Sequence, residues 1–208
     1  KDHTYDIYVF DNNSNDGSTA LVQSIFPQVK VLHNAENIGY ARGQNQILTR
    51  ACSRYTLLLN PDTLIDEGTI DHIISYMDAH PHVGIAVCKV LAPDNTSIPS
   101  IGRYPSVLGE LLRSMSSRAY PFIGICTKLY RQRYKNTYDD QSTMEVPCVA
   151  GPFLMARQEM ISDIGLLDED FFLFSEESDW CKRAQANSWA CAYVPNVSIH
   201  HLLGGCRA

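Results

Sequence analysis

Three short apolar runs in the first sixty residues each stop abruptly on carboxylates and amides. Asp6-Ile7-Tyr8-Val9-Phe10 ends at Asp11-Asn12-Asn13-Ser14. Val29-Lys30-Val31-Leu32 ends at His33-Asn34, and Tyr55-Thr56-Leu57-Leu58-Leu59 ends at Asn60-Pro61-Asp62-Thr63. Helical patterns separate them: Ser18 to Phe26, led in by Asp16-Gly17, and Ile38 to Cys52, with apolar residues at helical spacing. Continuous apolar strands alternating with helices predict an α/β fold with a mostly parallel, Rossmann-like central sheet covered by helices on both faces. In such sheets ligands bind beyond the carboxyl ends of the strands, where all three polar turns fall.

Further along, Ile65 to Ala79 reads as a helix and Val83 to Val90 as a strand. Val107 to Met115 reads as a helix and 116–144 as an irregular polar loop. Val146 to Ala156 holds Gly151-Pro152 between two apolar stretches. Glu159 to Ile164 and Ser175 to Asn187 read as helices, and Ala190 to Val194 and Val197 to His200 as strands. With no repeat and no linker, the 208 residues are expected to form one domain, with halves at 1–91 and 92–208. A net charge of −6 argues against nucleic acid as a partner. No apolar run reaches the roughly 20 residues a bilayer requires. Seven cysteines, odd in number and never in a C-x-x-C pair, argue for reduced thiols and a cytoplasmic location.

The rim of carboxylates and amides suits a hard cation and hydroxyl-rich ligands. Asp, Asn, Ser and Gly are also ordinary turn residues, so one such loop alone carries little weight. Neither G-x-G-x-x-G nor G-x-x-x-x-G-K-[ST] occurs, so a Rossmann dinucleotide site and a P-loop both lack their glycines. A second acidic group, Glu176, Glu177 and Asp179, opens a helix, the end that favours carboxylates.

These segments carry a resemblance. Val9 to Ser18, Asn37-Ile38-Gly39-Tyr40-Ala41-Arg42-Gly43-Gln44-Asn45 and Leu58-Leu59-Asn60-Pro61-Asp62-Thr63 resemble the family-2 inverting glycosyltransferases, closest to their rhamnosyltransferase-like branch. Val149 to Arg157, Ile164 to Arg183 and Ile199-His200-His201 with Gly204-Gly205 continue the match in order, with a poor stretch at 92–144. The resemblance implies a GT-A fold, a nucleotide-diphosphate sugar donor, Mg2+ or Mn2+, and inversion at the anomeric carbon. It implies that Asp11 contacts the donor base, with Asn13 and Ser14 beside it. Asn37, Gly39 and Asn45 match the second nucleotide-contacting segment. Asn60 and Asp62 match the metal element, with Asp62 the main ligand and His200 a further metal or diphosphate contact; His201 reads as a strand-edge residue. In the family's Glu-Asp-x-Asp pattern the second acid is the base, a position Glu177 fills where most relatives carry Asp. Asp179 is the reserve base and Glu176 completes the cluster.

The implied reaction moves a hexose or deoxyhexose, rhamnose among them, to a hydroxyl of a glycan or lipid-linked glycan. A non-catalytic nucleotide-sugar-binding fragment is the alternative. A sugar-nucleotide pyrophosphorylase would need a Gly-rich, basic N-terminal loop, which is missing. In the family a strand and helix precede the Asp11 strand and helices follow the His motif. The chain is therefore expected to lack the family's first strand and to be cut at both ends. One feature is independent of the resemblance. Arg113, Arg118, Lys128, Arg131, Arg133 and Lys135 stand in a stretch without acids, around the apolar Tyr120 to Cys126. That pattern suits an anionic surface, and so a peripheral position at the inner face of the cell membrane.

Overall fold

The computed structural model describes residues 3–102, 104, 141–149 and 151–202. The expected helix at Val107 to Met115, the basic stretch Arg113 to Lys135 and Gly204-Gly205 lie outside those residues. In chain order the elements are β1 (Tyr8–Asp11), α1 (Ser18–Ile25), β2 (Lys30–His33), α2 (Tyr40–Leu48), β3 (Tyr55–Leu59) and β4 (Thr63–Ile65). Next come α3 (Thr69–Ala79), β5 (Val83–Leu91), β6 (Ser97–Ile98), β7 (Ile101–Gly102), β8 (Met144–Glu145) and β9 (Cys148–Val149). The chain closes with β10 (Phe153–Arg157), α4 (Gln158–Ile164), α5 (Glu176–Ala186) and β11 (Ala190–His201).

The large sheet runs β3-β10-β5-β11-β4, with β6 on β5 and β8 on β11. Its centre is β5, which lies antiparallel to β10 and parallel to β11. The remaining pairs, β10–β3, β11–β4, β11–β8 and β5–β6, are antiparallel. The expectation of a mostly parallel sheet is therefore corrected: the sheet is mixed. Continuous apolarity reports burial on both faces, and a central antiparallel strand flanked by two others meets that condition equally well. The strands β1 and β2 pair in parallel as a separate two-stranded ribbon, so the three polar turns do not share one sheet.

Helices cover both faces. One core packs Ala41 and Leu48 of α2, Met160 and Ile161 of α4, and Trp180, Cys181 and Ala184 of α5 against Leu58, Ile85, Val87 and Leu154. The other packs Ile73 and Met77 of α3 against Ala86, Cys88, Val90, Phe153 and Ile199. The alternation of Ile85 and Val87 with Ala86 and Cys88 is the two-residue period of a strand. Strand β11 is continuous where two strands are read in the sequence. Its register on β5 shifts between Val194 and Ser198, around Pro195, which has no N–H for the ladder. Helix α3 starts at Thr69 and not at Ile65, because Gly68 turns left-handed (φ 78°) and Thr63–Ile65 joins the sheet.

Helix α2 is what joins the ribbon to the rest. Its far side enters the first core, while Gly43 lies against the Phe10 ring of β1. A Cβ on Gly43 would sit 2.7 Å from a ring carbon of Phe10, well inside van der Waals contact. Alanine normally gains about 1 kcal/mol over glycine inside a helix. Here we expect Gly43→Ala to destabilise by about 1–2 kcal/mol despite that gain, since the aromatic ring must be displaced. A lowered urea midpoint with an unchanged m-value is the expected result.

Candidate active site

Asp11 ends β1 and is 5% exposed. Its Oδ1 accepts the Ser14 N–H (3.0 Å), and its Oδ2 accepts the Thr19 hydroxyl (3.0 Å) and lies 2.7 Å from His33 Nδ1. Burial alone would raise this carboxyl. The hydrogen bonds from Ser14, His33 and Thr19 outweigh it and hold the group at about 2. Asn13 takes a left-handed turn (φ 69°) in the exposed loop beyond. Asn12 fastens this loop to the next: its Nδ2 donates to Asn37 Oδ1 (2.7 Å), and its Oδ1 accepts the Ile38 N–H (2.9 Å). Asn37 Oδ1 also accepts the Gly39 N–H.

Two residues expected to meet nucleotide also hold the scaffold. Gly39 needs its positive φ of 85°, and a Cβ there would collide with Phe172 O at 2.6 Å. The Tyr40 N–H donates to that same carbonyl (2.8 Å). Asn45 is 4% exposed, and its amide bonds the Leu167 main chain on both sides: Nδ2 to the carbonyl (2.8 Å), Oδ1 from the N–H (3.0 Å). Asn45 thus links α2 to the segment that leads into the acidic helix.

The turn after β3 carries Asn60 and Asp62. The Asn60 N–H donates to Pro152 O (2.8 Å), and the Asn60 carbonyl accepts the Thr63 hydroxyl. Asp62 lies beside the end of β11. Its carbonyl accepts the Leu202 N–H, and its Oδ1 is 3.1 Å from His201 Nε2. The sequence reading paired Asp62 with His200. The structure brings His201 there and turns His200 towards Asp66, at 3.6 Å. Neighbours on a strand point to opposite sides, so only one of two adjacent histidines can face Asp62. Asp62 and His201 offer one oxygen and one nitrogen, a donor set that Mn2+ accepts. Among the described residues no group of three His, Cys, Asp or Glu side chains forms a complete metal cage. A Mg2+-type site completed by substrate phosphates needs only one or two protein ligands, so the pair fits that kind of site.

The acidic cluster separates into three roles. Glu176 is 2% exposed and its Oε2 has no hydrogen-bond partner, so its burial raises its carboxyl. Glu177 is half-buried. Desolvation, and then the neighbouring Glu176 charge, lift it to about 7. Asp179 accepts from Arg183 Nε (2.7 Å), and Arg183 also donates to the Ile164 and Leu166 carbonyls. Asp179 therefore braces Arg183. The β9–β10 segment borders both acidic elements: Cys148 Sγ donates to Ser178 Oγ (3.2 Å), and Pro152 receives Asn60. The sequence marks His33 only as a strand end; the parallel register of β1 and β2 places it opposite Asp11.

The architecture is that of GT-A glycosyltransferases. The chain superposes on the S. aureus TarS 1-349 complex with UDP, with a TM-score of 0.62 and 15% identity over 95% of this chain and 51% of that one. It superposes equally well (TM-score 0.62) on the mannosyltransferase from Pyrobaculum calidifontis in complex with GDP-Man and Mn2+, at 16% identity over 97% of this chain and 48% of that one. The chain belongs to glycosyl transferase family 2, whose sequence profile matches residues 1–165. It is 23% identical over 206 residues to the N-acetylglucosaminyl-diphospho-decaprenol L-rhamnosyltransferase of Mycobacterium tuberculosis, covering 94% of this chain. It spans 66% of the length of that relative.

Two outcomes test this geometry. Asn45→Ala would strand the buried Leu167 N–H and carbonyl and cost about 2–4 kcal/mol in urea unfolding. Folded Glu177 keeps its proton up to about pH 7, while the unfolded chain releases it near 4.5, so stability falls as pH rises through that window. Glu177→Gln should therefore unfold like the parent at pH 4 and at a higher midpoint at pH 8, by at most about 3 kcal/mol.

Proposed function

We propose that this chain transfers a hexose or deoxyhexose from a nucleotide-diphosphate sugar to a hydroxyl of a glycan or lipid-linked glycan, with inversion. The observation that carries the reading is Glu177. A carboxyl near 7 can be ionised at physiological pH and still take up a proton, which is what a general base requires. Its carboxylate removes the acceptor hydroxyl proton as that oxygen attacks the anomeric carbon. The bond from that carbon to the donor's diphosphate oxygen breaks on the opposite face. Burial, and then the Glu176 charge beside it, keep Glu177 basic, and Arg183, held by Asp179, fixes the helix start that aims it.

Asp62 and His201 would hold Mg2+ or Mn2+, which when bound neutralises diphosphate charge. The loops fastened by Asn12 would take the nucleoside, with Asn13, Ser14 and Asn37 exposed towards it. The mycobacterial relative's name specifies a diphospho-decaprenol acceptor. That supports a lipid-linked acceptor here and a place in cell-wall polysaccharide synthesis. Among the described residues no helix is long and apolar enough to cross a membrane. A peripheral position through Arg113 to Lys135 is part of the proposal.

In a transfer assay with Mn2+, Asp62→Ala should lower turnover at least 100-fold, and chelation should do the same to the parent. Turnover retained in Asp62→Ala would refute the metal role. Glu177→Gln should abolish transfer while leaving donor affinity within threefold. The parent's kcat should rise tenfold per pH unit below about 7 and level off above it. Donor binding with no transfer or hydrolysis at any pH would make the chain a binder and not an enzyme.

A further inference from the structure

The segment that leads into the acidic helix carries Phe171-Phe172-Leu173-Phe174 between two groups of carboxylates, Asp168-Glu169-Asp170 before it and Glu176-Glu177 after it. Phe172, Leu173 and Phe174 are 59%, 53% and 74% exposed. Large apolar side chains gathered in water beside polar groups mark interaction sites. The loop is not slack. The Tyr40 N–H holds the Phe172 carbonyl (2.8 Å), and the Phe172 ring lies so near Gly39 that a Cβ there would meet its Cδ2 at 2.9 Å. Phe174 and Ser175 both take left-handed backbone (φ 69° and 76°), which residues other than glycine rarely adopt and which gathers at functional sites.

Charge decides what covers this patch. Asp168, Glu169 and Asp170 are exposed, and no basic residue stands between 168 and 177. Arg42 offsets one of the acids, Glu169, at 3.7 Å. An anionic membrane surface would be repelled there. A pyranose is neutral, and its hydroxyls bond carboxylates. Its axial C–H bonds present an apolar, weakly positive face that suits the negative face of an aromatic ring. Glu177 follows Phe174 by three residues, so their Cα atoms lie within about 11 Å, and one pyranose can meet both side chains. We propose that the rings of Phe172 and Phe174 are the platform on which the acceptor sugar stacks, so that the site takes a pyranose with an open C–H face and presents its hydroxyl to Glu177. This rests on the proposal above that Glu177 takes the acceptor proton, and it adds which part of the acceptor is read and by which residues.

The test is titration of the full chain with methyl β-D-glucopyranoside, followed by NMR, with sorbitol as an acyclic polyol control. The parent should bind the pyranoside and move its C–H protons upfield by ring current, while sorbitol leaves the spectra unchanged. Leucine and tyrosine meet the same left-handed backbone at 174, so they isolate the ring. The double variant Phe172→Leu/Phe174→Leu keeps apolar surface without an aromatic face and should bind roughly three- to tenfold more weakly. Phe172→Tyr/Phe174→Tyr keeps the rings and should bind within about twofold of the parent. Equal affinity in the parent and the leucine variant overturns the platform, as does a parent that binds no pyranoside. Co-sedimentation with phosphatidylglycerol vesicles that the leucine variant keeps and the tyrosine variant loses gives the loop to a membrane and overturns it too. Ring-dependent pyranoside binding by a chain that transfers no sugar would leave the platform and remove the transferase reading. Transfer that Glu177→Gln abolishes, with pyranoside affinity unchanged in the leucine variant, would do the reverse.

Discussion

The two hydrogen bonds between the Asn45 amide and the Leu167 main chain decide how the parts of the candidate site are placed. Buried from water, they span 122 residues of sequence. They fix α2, which carries the ribbon of β1 and β2, to the segment that runs into Glu176 and Glu177. Tyr40 N to Phe172 O and the close approach of Gly39 extend the same seam. Without it the rim that would meet the donor and the carboxylates that would meet the acceptor would belong to bodies joined mainly through apolar packing, which is not directional, and the exposed Arg42–Glu169 ion pair. Hydrogen bonds are, and they set a register.

The central sheet supplies the other constraint. Strand β5 unites the halves read from the sequence, since both its neighbours, β10 and β11, come from the second half. The return of β11 along β4 is what carries His201 to Asp62. Arg157 pins the opposite end: buried in β10, it donates to the carbonyls of Val83, Met77 and His80 and so holds the exit of α3 against the start of β5.

Much of this was legible in the residues. Elements such as α1, β3 and β5 follow from apolar runs ended by turn residues, and family membership follows from motifs in order. Strand direction was not legible, because burial on both faces looks the same for parallel and antiparallel neighbours. Side-chain assignment was legible only where a motif fixes the direction of the side chain. Asn45 matched a nucleotide-contacting position, yet it faces inward from a helix. Which of two adjacent histidines meets Asp62 depends on the phase of a strand that shifts register around Pro195. The expected reserve base Asp179 pairs with Arg183 one helical turn later, on the same face.

The ribbon of β1 and β2 has a further consequence. Its outer helix α1 buries no residue, and Leu21, Ile25 and Phe26 are each half exposed or more. The ribbon is held to the molecule chiefly through α2, so it forms the least densely packed unit next to the candidate site. Units of that kind open at lower free energy than the core they adjoin. Any ligand gripped by the ribbon adds its binding free energy to the closing of that unit. Affinity at this rim therefore reflects local folding as much as contact, and a substitution in α1 that touches no ligand would still register as a change in how tightly the rim holds one.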